Sequence, residues 1–198
     1  MDVKPIIKYW TNGNKQSEVW YLNGQLHRIN GPSAIFYYES GKIYREYWHL
    51  TNKFHRIDGP ADIVYFESGK VEREFWYFDG KFHRIDGPAD IVYFESGNIK
   101  HESWYSNNEF HRIDGPASIL YYESGPVQRE VWYLNDMVSR IDGPASIKYY
   151  NNGKTQYEQW YLNGKESTHK EWLVDNNLYK PYNTWTDEER VLWTLRWA

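Results

Sequence analysis

Histidine, glutamate and arginine recur at fixed places along this chain, and these residue types bind metals, transfer protons and hold anions. The repeated histidines are His27, His55, His83 and His111, each followed by arginine. The repeated glutamates are Glu18, Glu46, Glu74, Glu102, Glu130 and Glu158. Metal binding, acid–base catalysis and recognition of an anion are the three kinds of chemistry to weigh.

A metal site needs more ligands than one copy of the pattern supplies. Zinc takes three or four ligands at roughly 2.0–2.3 Å from one ion. His83 and Asp86 give two, and the next histidine lies about 10 Å or more away if two strands separate the copies. We therefore expect structural histidines, no metal and no cofactor.

The glutamates fall on the predicted core face, where an unpaired carboxylate is costly. Strand pairing places Glu74 diagonally opposite His83. We predict that each carboxylate accepts a hydrogen bond from a histidine or arginine of a linker, as an internal brace rather than one half of an acid–base pair.

Arginine and aspartate recur two residues apart, as in Arg84-Ile85-Asp86-Gly87-Pro88, and two interpretations stay open. The aspartate fixes the turn by accepting backbone N–H groups, or the arginines form an exposed row that recognises an acidic partner. The turn chemistry accounts for Asp-Gly-Pro without a ligand, which favours the first interpretation.

The sequence offers no catalytic constellation. It has no cysteine, no glycine-rich phosphate loop and no G-x-S-x-G elbow. Ser68 and its equivalents occupy tight turns, and the strand pairing places no histidine beside them. We expect that the protein is not an enzyme.

These residues belong to a 28-residue repeat, which has to be recognised before any local structure is predicted. The period is marked by Trp20, Trp48, Trp76, Trp104, Trp132 and Trp160. Copies 1 to 6 of a two-strand unit span 5–24, 33–52, 61–80, 89–108, 117–136 and 145–164, with short linkers between them. Such units stack because none buries its apolar face alone. Residues 1–164 are therefore predicted to form one repeat array.

Each copy has the pattern of β-structure. Residues 61–67 and 70–78 are rich in β-branched and aromatic types, and Ser68-Gly69 between them predicts a two-residue hairpin loop. Asp79-Gly80 is the next turn. All six copies carry Gly, Asn or Asp at its second position, and these residues accept the left-handed backbone of a type I′ turn.

Pairing across these turns divides the side chains between two faces. The set that barely changes between copies, the constant face, is Ile63, Tyr65, Glu74, Trp76, Phe78, His83 and Ile85. The other set, the variable face, is Val64, Phe66, Arg73, Phe75, Tyr77, Phe82 and Arg84. We predict that the constant face is the core, with the tryptophans, Glu74 and His83 as its structural ladder.

The variable face is the predicted surface. Exposed aromatic side chains and arginine are enriched at binding hot spots. The hypothesised contact residues are Phe66, Arg73, Phe75, Tyr77 and Arg84.

Residues 165–198 break the period and form a predicted capping segment. Thr186 and Glu189 resemble a capping box, which predicts a helix near 187–197. We expect this helix to cover the last repeat, since a solenoid must hide its open end. The predicted fold is all-β: an elongated, single-layer antiparallel hairpin array with a short α-helical C-terminal cap.

Composition and charge disfavour several classes of protein. A net charge of −4 argues against bulk nucleic-acid binding. No apolar run approaches the roughly 18 residues of a membrane span, and the first residues lack a hydrophobic signal-peptide core. We expect a soluble protein of the cytoplasm.

The run EVWYLNGQLHR, from Glu18 to Arg28, resembles the MORN repeat, and the resemblance covers about residues 5–164. It is closest to longer variants that recur in large-DNA-virus proteins and some bacterial ones; a viral protein would act in the host-cell cytoplasm or the virion. MORN arrays are single-layer antiparallel β-ribbons that act as scaffolds, dimerisation surfaces and sometimes membrane-proximal modules. This chain departs from the family in its longer period, in the arginine after each histidine, and at Ser139, where copy 5 loses the histidine.

We expect a non-enzymatic protein that binds or scaffolds another protein, with homo-oligomers as one form of that role. Two alternatives stay open. A membrane- or phospholipid-associated module would bind anionic vesicles in a salt-dependent way, which the net charge of −4 disfavours. An antitoxin-like neutralising protein, like bacterial proteins with this repeat, would be encoded beside a toxin.

Overall fold

A computed structural model of the chain describes residues 4–167 and Thr186. These residues are all-β, and no helix occurs within them. The helix predicted near 187–197, with most of the capping segment, lies outside the described residues.

Thirteen strands form one antiparallel sheet, in which successive hairpins lie side by side in chain order. The prediction of an all-β hairpin array is confirmed. The strands are β1 (Ile6–Tyr9), β2 (Lys15–Val19), β5 (Ala34–Tyr37), β6 (Ile43–Tyr47), β9 (Asp62–Tyr65), β10 (Val71–Phe75), β13 (Asp90–Tyr93), β14 (Ile99–Ser103), β17 (Ser118–Tyr121), β18 (Val127–Val131), β21 (Ser146–Tyr149), β22 (Thr155–Leu162) and β23 (Lys165–Ser167).

A short two-stranded ribbon follows each of the first five hairpins. The ribbons are β3 (Tyr21–Leu22) with β4 (Gln25–Leu26), β7 (His49–Leu50) with β8 (Lys53–Phe54), β11 (Tyr77–Phe78) with β12 (Lys81–Phe82), β15 (Tyr105–Ser106) with β16 (Glu109–Phe110), and β19 (Tyr133–Leu134) with β20 (Met137–Val138). Asp79 and Gly80 have φ of 49° and 79°. Positive φ at both central residues confirms the predicted type I′ turn.

The first loop of each copy differs from the prediction. Gly69 has φ of 90°, and its N–H donates to the Phe66 carbonyl oxygen at 2.8 Å. This is a three-residue loop, in which a left-handed glycine follows a tight turn. Tyr65 therefore pairs with Val71, whereas a two-residue loop would pair it with Glu72. A bulge after Val71 then brings Glu74 opposite Ile63, as a two-residue loop would also do.

The variable face is partly buried, contrary to the prediction that it is the surface. Val64 is buried, and Phe75 is only 9% exposed. The rings of Tyr77 and Phe82 pack against Phe75 at centroid distances of 6.4 and 5.7 Å. Ribbon side chains on this side of the sheet form a second apolar layer, which strand alternation alone does not predict.

The constant face is also less uniform than predicted. Ile63 is buried as expected, but Phe78 is 55% and Ile85 is 93% exposed. Phe78 stands beside the type I′ turn at the tip of its ribbon. Ile85 lies in the linker, where β12 has ended and strand alternation no longer decides which way a side chain points.

Candidate functional site on the variable face

On the constant face, the arginine of each linker stacks on the tryptophan of its own copy. The Arg84 guanidinium carbon lies 3.8 Å from the centre of the Trp76 ring. Its Nε donates to the Asp86 carboxylate at 3.1 Å, and its Nη1 donates to the Pro88 carbonyl oxygen at 3.3 Å. The same stack joins Arg28 to Trp20, Arg56 to Trp48, Arg112 to Trp104 and Arg140 to Trp132.

The placement of Arg84 on the variable face is therefore wrong, because strand alternation stops at the end of β12. The bound arginine lowers the pKa of Asp86. It also accounts for the glycine that follows, since a Cβ on Gly87 would lie 3.0 Å from the guanidinium carbon of Arg84. Arginine, aspartate and glycine thus act together as one structural unit in the linker.

Five of the six repeated glutamates are internal braces, but their donors are tyrosines and not the predicted histidines or arginines. The Tyr93 hydroxyl of the next copy donates to Glu74 at 3.1 Å. Glu74 pairs with Ile91, which places Tyr93, two residues further, diagonally opposite on the same face. The same bond joins Tyr37 to Glu18, Tyr65 to Glu46, Tyr121 to Glu102 and Tyr149 to Glu130.

Three of the four repeated histidines make a hydrogen bond to the next ribbon. His55 Nδ1 accepts the Asp79 backbone N–H at 3.2 Å. In copy 5 the Ser139 hydroxyl replaces histidine and accepts the Asn163 N–H at 3.1 Å. His83 is an exception, because its Nδ1 is buried without a hydrogen-bond partner. Within the described residues, no three histidine or acidic side chains gather closely enough to hold a metal ion.

On the variable face, an arginine of one copy pairs with an aspartate of the next. Arg73 donates through Nε and Nη2 to the two carboxylate oxygens of Asp90 at 3.0 and 2.7 Å. Arg45 holds Asp62 in the same way at 2.8 and 2.6 Å. Two parallel bonds of this kind are the strong form of an arginine–carboxylate contact. The Arg73 side chain remains 41% exposed.

In the next two pairs serine replaces the aspartate, and in the first of them histidine also replaces the arginine. His101 Nε2 lies 2.9 Å from the Ser118 hydroxyl. Arg129 meets only the Ser146 hydroxyl, at 3.2 Å from Nη2 and 3.4 Å from Nε. Arg129 is exposed, and it forms no ion pair among the residues that the structure describes.

A groove of about 440 Å³ opens at this place, and we call it the Arg129 groove. Its polar and charged lining includes Arg73, Lys100, His101, Ser118 and Arg129. Its apolar lining includes Val92, Leu120 and Val131. The groove spans copies 3 to 5 and lies beside the ribbon residue Tyr133.

The groove carries positive charge. Burial lowers the pKa of His101, so this side chain is neutral near pH 7. The charge of Arg73 is offset by Asp90, and Lys100 and Arg129 are the lining cations that have no carboxylate partner within the described part of the chain. No aspartate or glutamate occurs among the described lining residues. An arrangement of this kind suits an anionic group beside an apolar one.

A serine–histidine contact lies in the same groove. His101 Nε2 is 2.9 Å from the Ser118 hydroxyl and 3.3 Å from that of Ser103. A serine nucleophile requires a histidine oriented by a third group and donors for an oxyanion. The contacts of the described residues give His101 no such orienting partner. The three side chains form a polar network, in which His101 and Ser118 line the groove and Ser103 is buried.

Of the predicted contact residues, only Arg73 is among the described residues that line the groove. Phe75 is buried, Arg84 stacks on Trp76, and Phe66 lies half-buried beside the first hairpin loop. Tyr77 is held in a row of rings, 4.8 Å from Phe54 and 4.3 Å from Phe82 between centroids.

Pairing within one copy does not predict the groove or four of its lining residues, Lys100, His101, Leu120 and Arg129. The signal lies between copies. Seventeen residues after each arginine of β6, β10 and β18, the chain carries Asp62, Asp90 and Ser146. The loss of the aspartate in the last of these pairs marks Arg129 as different.

The sequence matches no protein-family profile and no curated protein. In the described part of the chain, no helix is long and apolar enough to cross a membrane.

Proposed function

We propose that this protein binds another protein through its variable face, as a non-enzymatic scaffold of the kind that the MORN resemblance implies. The observation that carries the proposal is the contrast between the two faces. Contacts within and between copies engage the arginines and glutamates of the constant face. On the variable face Lys100 and Arg129 stay exposed; no other copy has lysine at the position of Lys100, and Arg129 meets Ser146 where Arg45 and Arg73 meet an aspartate.

The chemistry of the Arg129 groove supports this role. Binding energy at protein interfaces concentrates on a few aromatic and arginine side chains around well-packed pockets. The groove brings Tyr133 and Leu120 together with Arg129. A protein that neutralises a single toxin would be a special case of the same role.

The test compares three baits made from the full chain. Wild type, a variable-face variant (Lys100→Glu with Arg129→Glu) and a control (Ile57→Ser with Ile85→Ser) capture proteins from an extract of the source cell. All four positions are exposed, so circular dichroism should show an intact fold in each bait. We expect a protein that wild type and the control retain and the variable-face variant loses. Equal recovery on all three baits contradicts the proposal.

One observation favours a second candidate function, association with a membrane surface. The isoleucines Ile29, Ile57, Ile85 and Ile113 are each more than 80% exposed. In three of these four places an aspartate follows directly, and its charge opposes approach to anionic lipid. Co-sedimentation with neutral and anionic vesicles tests this candidate. Binding that is lost with Ile57→Ser and Ile85→Ser supports it, and no binding to either vesicle excludes it.

A further inference from the structure

We infer that the Arg129 groove binds a carboxylate side chain of the partner protein together with an adjacent apolar side chain. The recognised segment is therefore acidic and apolar. This rests on the proposed function and specifies the chemistry of the partner.

Small side chains provide the space in the groove. Copy 3 carries Phe75, whose ring is packed against Phe82 at a centroid distance of 5.7 Å. Copy 5 carries the smaller Val131 at the same position, and Val131 lines the groove with Leu120. An apolar side chain from a partner fits where copy 3 places its own ring.

Arg129 supplies the donor. In copy 3 the Arg73 Nη2 reaches a carboxylate oxygen of Asp90 at 2.7 Å, whereas the Arg129 Nη2 reaches only the Ser146 hydroxyl at 3.2 Å. Bonds between an arginine and a carboxylate are shorter and about twice as strong as bonds between neutral groups. A partner carboxylate thus provides for Arg129 the acceptor that Asp90 provides for Arg73.

The neighbouring charges favour the same ligand. Lys100 replaces the Glu72 of copy 3 and lines the groove. Lys148 stands directly opposite Arg129 in the strand register. Three cations on this part of the variable face attract a negative group, although the whole chain has a net charge of −4.

Apolar walls distinguish a protein segment from other anions. A phosphate or a nucleic-acid backbone brings charge without an apolar group, and it leaves Val92, Leu120 and Val131 facing water. A glutamate or aspartate next to a large apolar side chain fills both parts of the groove.

Two substitutions give the groove the residues found at the Arg73–Asp90 pair and close it from within. Ser146→Asp gives Arg129 the carboxylate that Arg73 has in Asp90, and Val131→Phe places a ring at the position that Phe75 occupies in copy 3. The equivalent Asp90 and Phe75 are both buried without disturbing the repeat. Val19→Phe is the matched control, since it adds the same ring in copy 1, away from the groove.

The probe is a fluorescent octapeptide of alternating leucine and glutamate, whose binding to the full chain is measured by anisotropy. The same peptide with lysine in place of glutamate, an oligothymidylate and phosphatidylserine vesicles are tested beside it. We expect only the glutamate peptide to bind. Its affinity should fall about tenfold or more in Ser146→Asp and Val131→Phe, because a charge-assisted bond or the apolar space is lost, and should be unchanged in Val19→Phe.

The possible outcomes separate the two proposals. If Ser146→Asp folds and binds the peptide as wild type does, the groove is not the binding site. If the oligonucleotide or the vesicles bind instead, and Ser146→Asp abolishes that binding, the partner is not an acidic protein segment. A third outcome is that no probe binds, while the variant with Lys100→Glu and Arg129→Glu still loses a protein that wild type captures. That result disproves recognition of an acidic segment but leaves protein binding by the variable face intact.

Discussion

Each linker arginine is held by an indole ring and a backbone carbonyl oxygen, and four of the five are also held by an aspartate. A cation over an indole ring contributes about 0.5–2 kcal/mol, depending on its exposure. The repeated Arg-x-Asp-Gly-Pro is therefore explained by structure alone, and it needs no ligand. The isoleucines Ile57, Ile85 and Ile113 within it are exposed and take no part in this arrangement.

Gly59→Ala tests the arginine stack. A Cβ at this position would lie 2.7 Å from the Arg56 guanidinium carbon. We expect a loss of about 1–2 kcal/mol in the free energy of unfolding, measured with urea. The loss should shrink in an Arg56→Ala background, because the group that is crowded is gone. Ser68→Ala, in an exposed loop, serves as a neutral control, and equal losses in both backgrounds would disprove the stack as the cause.

Alkaline pH tests the tyrosine–glutamate braces. Burial and the adjacent Glu74 raise the pKa of Tyr93 to about 12, whereas an unfolded tyrosine ionises near pH 10. The unfolded chain therefore loses its proton first. The stability from this brace should be complete below about pH 10 and should fall as the pH rises through about 12. Thermal unfolding across this range measures it, and Tyr93→Phe should show a shallower decline; an identical decline would contradict the brace.

At the scale of strands and turns, the sequence predicts the features that depend only on the residues of a single copy. Six hairpins and the type I′ turns follow from aromatic and β-branched runs and from Asp79-Gly80 and its equivalents. The Ser68-Gly69 loop was predicted one residue too short, since glycine takes a positive φ in both two- and three-residue loops. Burial of Phe75 was not predicted because the ribbons cover part of the variable face. The alternation of side chains along a strand does not specify how the ribbons pack.

The groove was beyond prediction from one copy because it depends on contacts between copies. The partner of Arg129 is 17 residues away on the next hairpin, and the partner of Glu74 is 19 residues away. Only a known order of strands in the sheet places these side chains together. The identity of the acceptor, Asp90 or Ser146, then decides whether an arginine has a carboxylate to bind within the chain.

Glu74→Gln tests the connection between successive hairpins. The substitution keeps the shape of the side chain but removes the charge that strengthens the bond from Tyr93. We expect a loss of about 1 kcal/mol, seen as a lower midpoint of thermal unfolding at neutral pH. Glu72→Gln, in the neighbouring bulge, is the control, and an unchanged midpoint in Glu74→Gln would rule out the brace.

For the whole molecule, the repeat makes contacts mainly between neighbouring copies, so its stability is approximately a sum of local terms. Deleting residues 33–60 joins Pro32 to Ala61, and this preserves the Pro-Ala junction that Pro60 makes with Ala61 in the intact chain. Deleting 117–144 joins Pro116 to Ala145 in the same way. We expect both shortened chains to fold with a β-type circular dichroism spectrum. Loss of folding in either would show that the hairpins are not interchangeable units.

These two deletions also provide the most direct measurement of the central claim, that binding depends on one part of the variable face. Both remove 28 residues, but only the second removes Leu120, Arg129 and Val131 from the groove. The quantity to measure is recovery of the partner by each folded, immobilised chain. We predict that the chain without 33–60 retains the partner and the chain without 117–144 loses it. Equal retention by both, or loss from the first alone, would contradict the account.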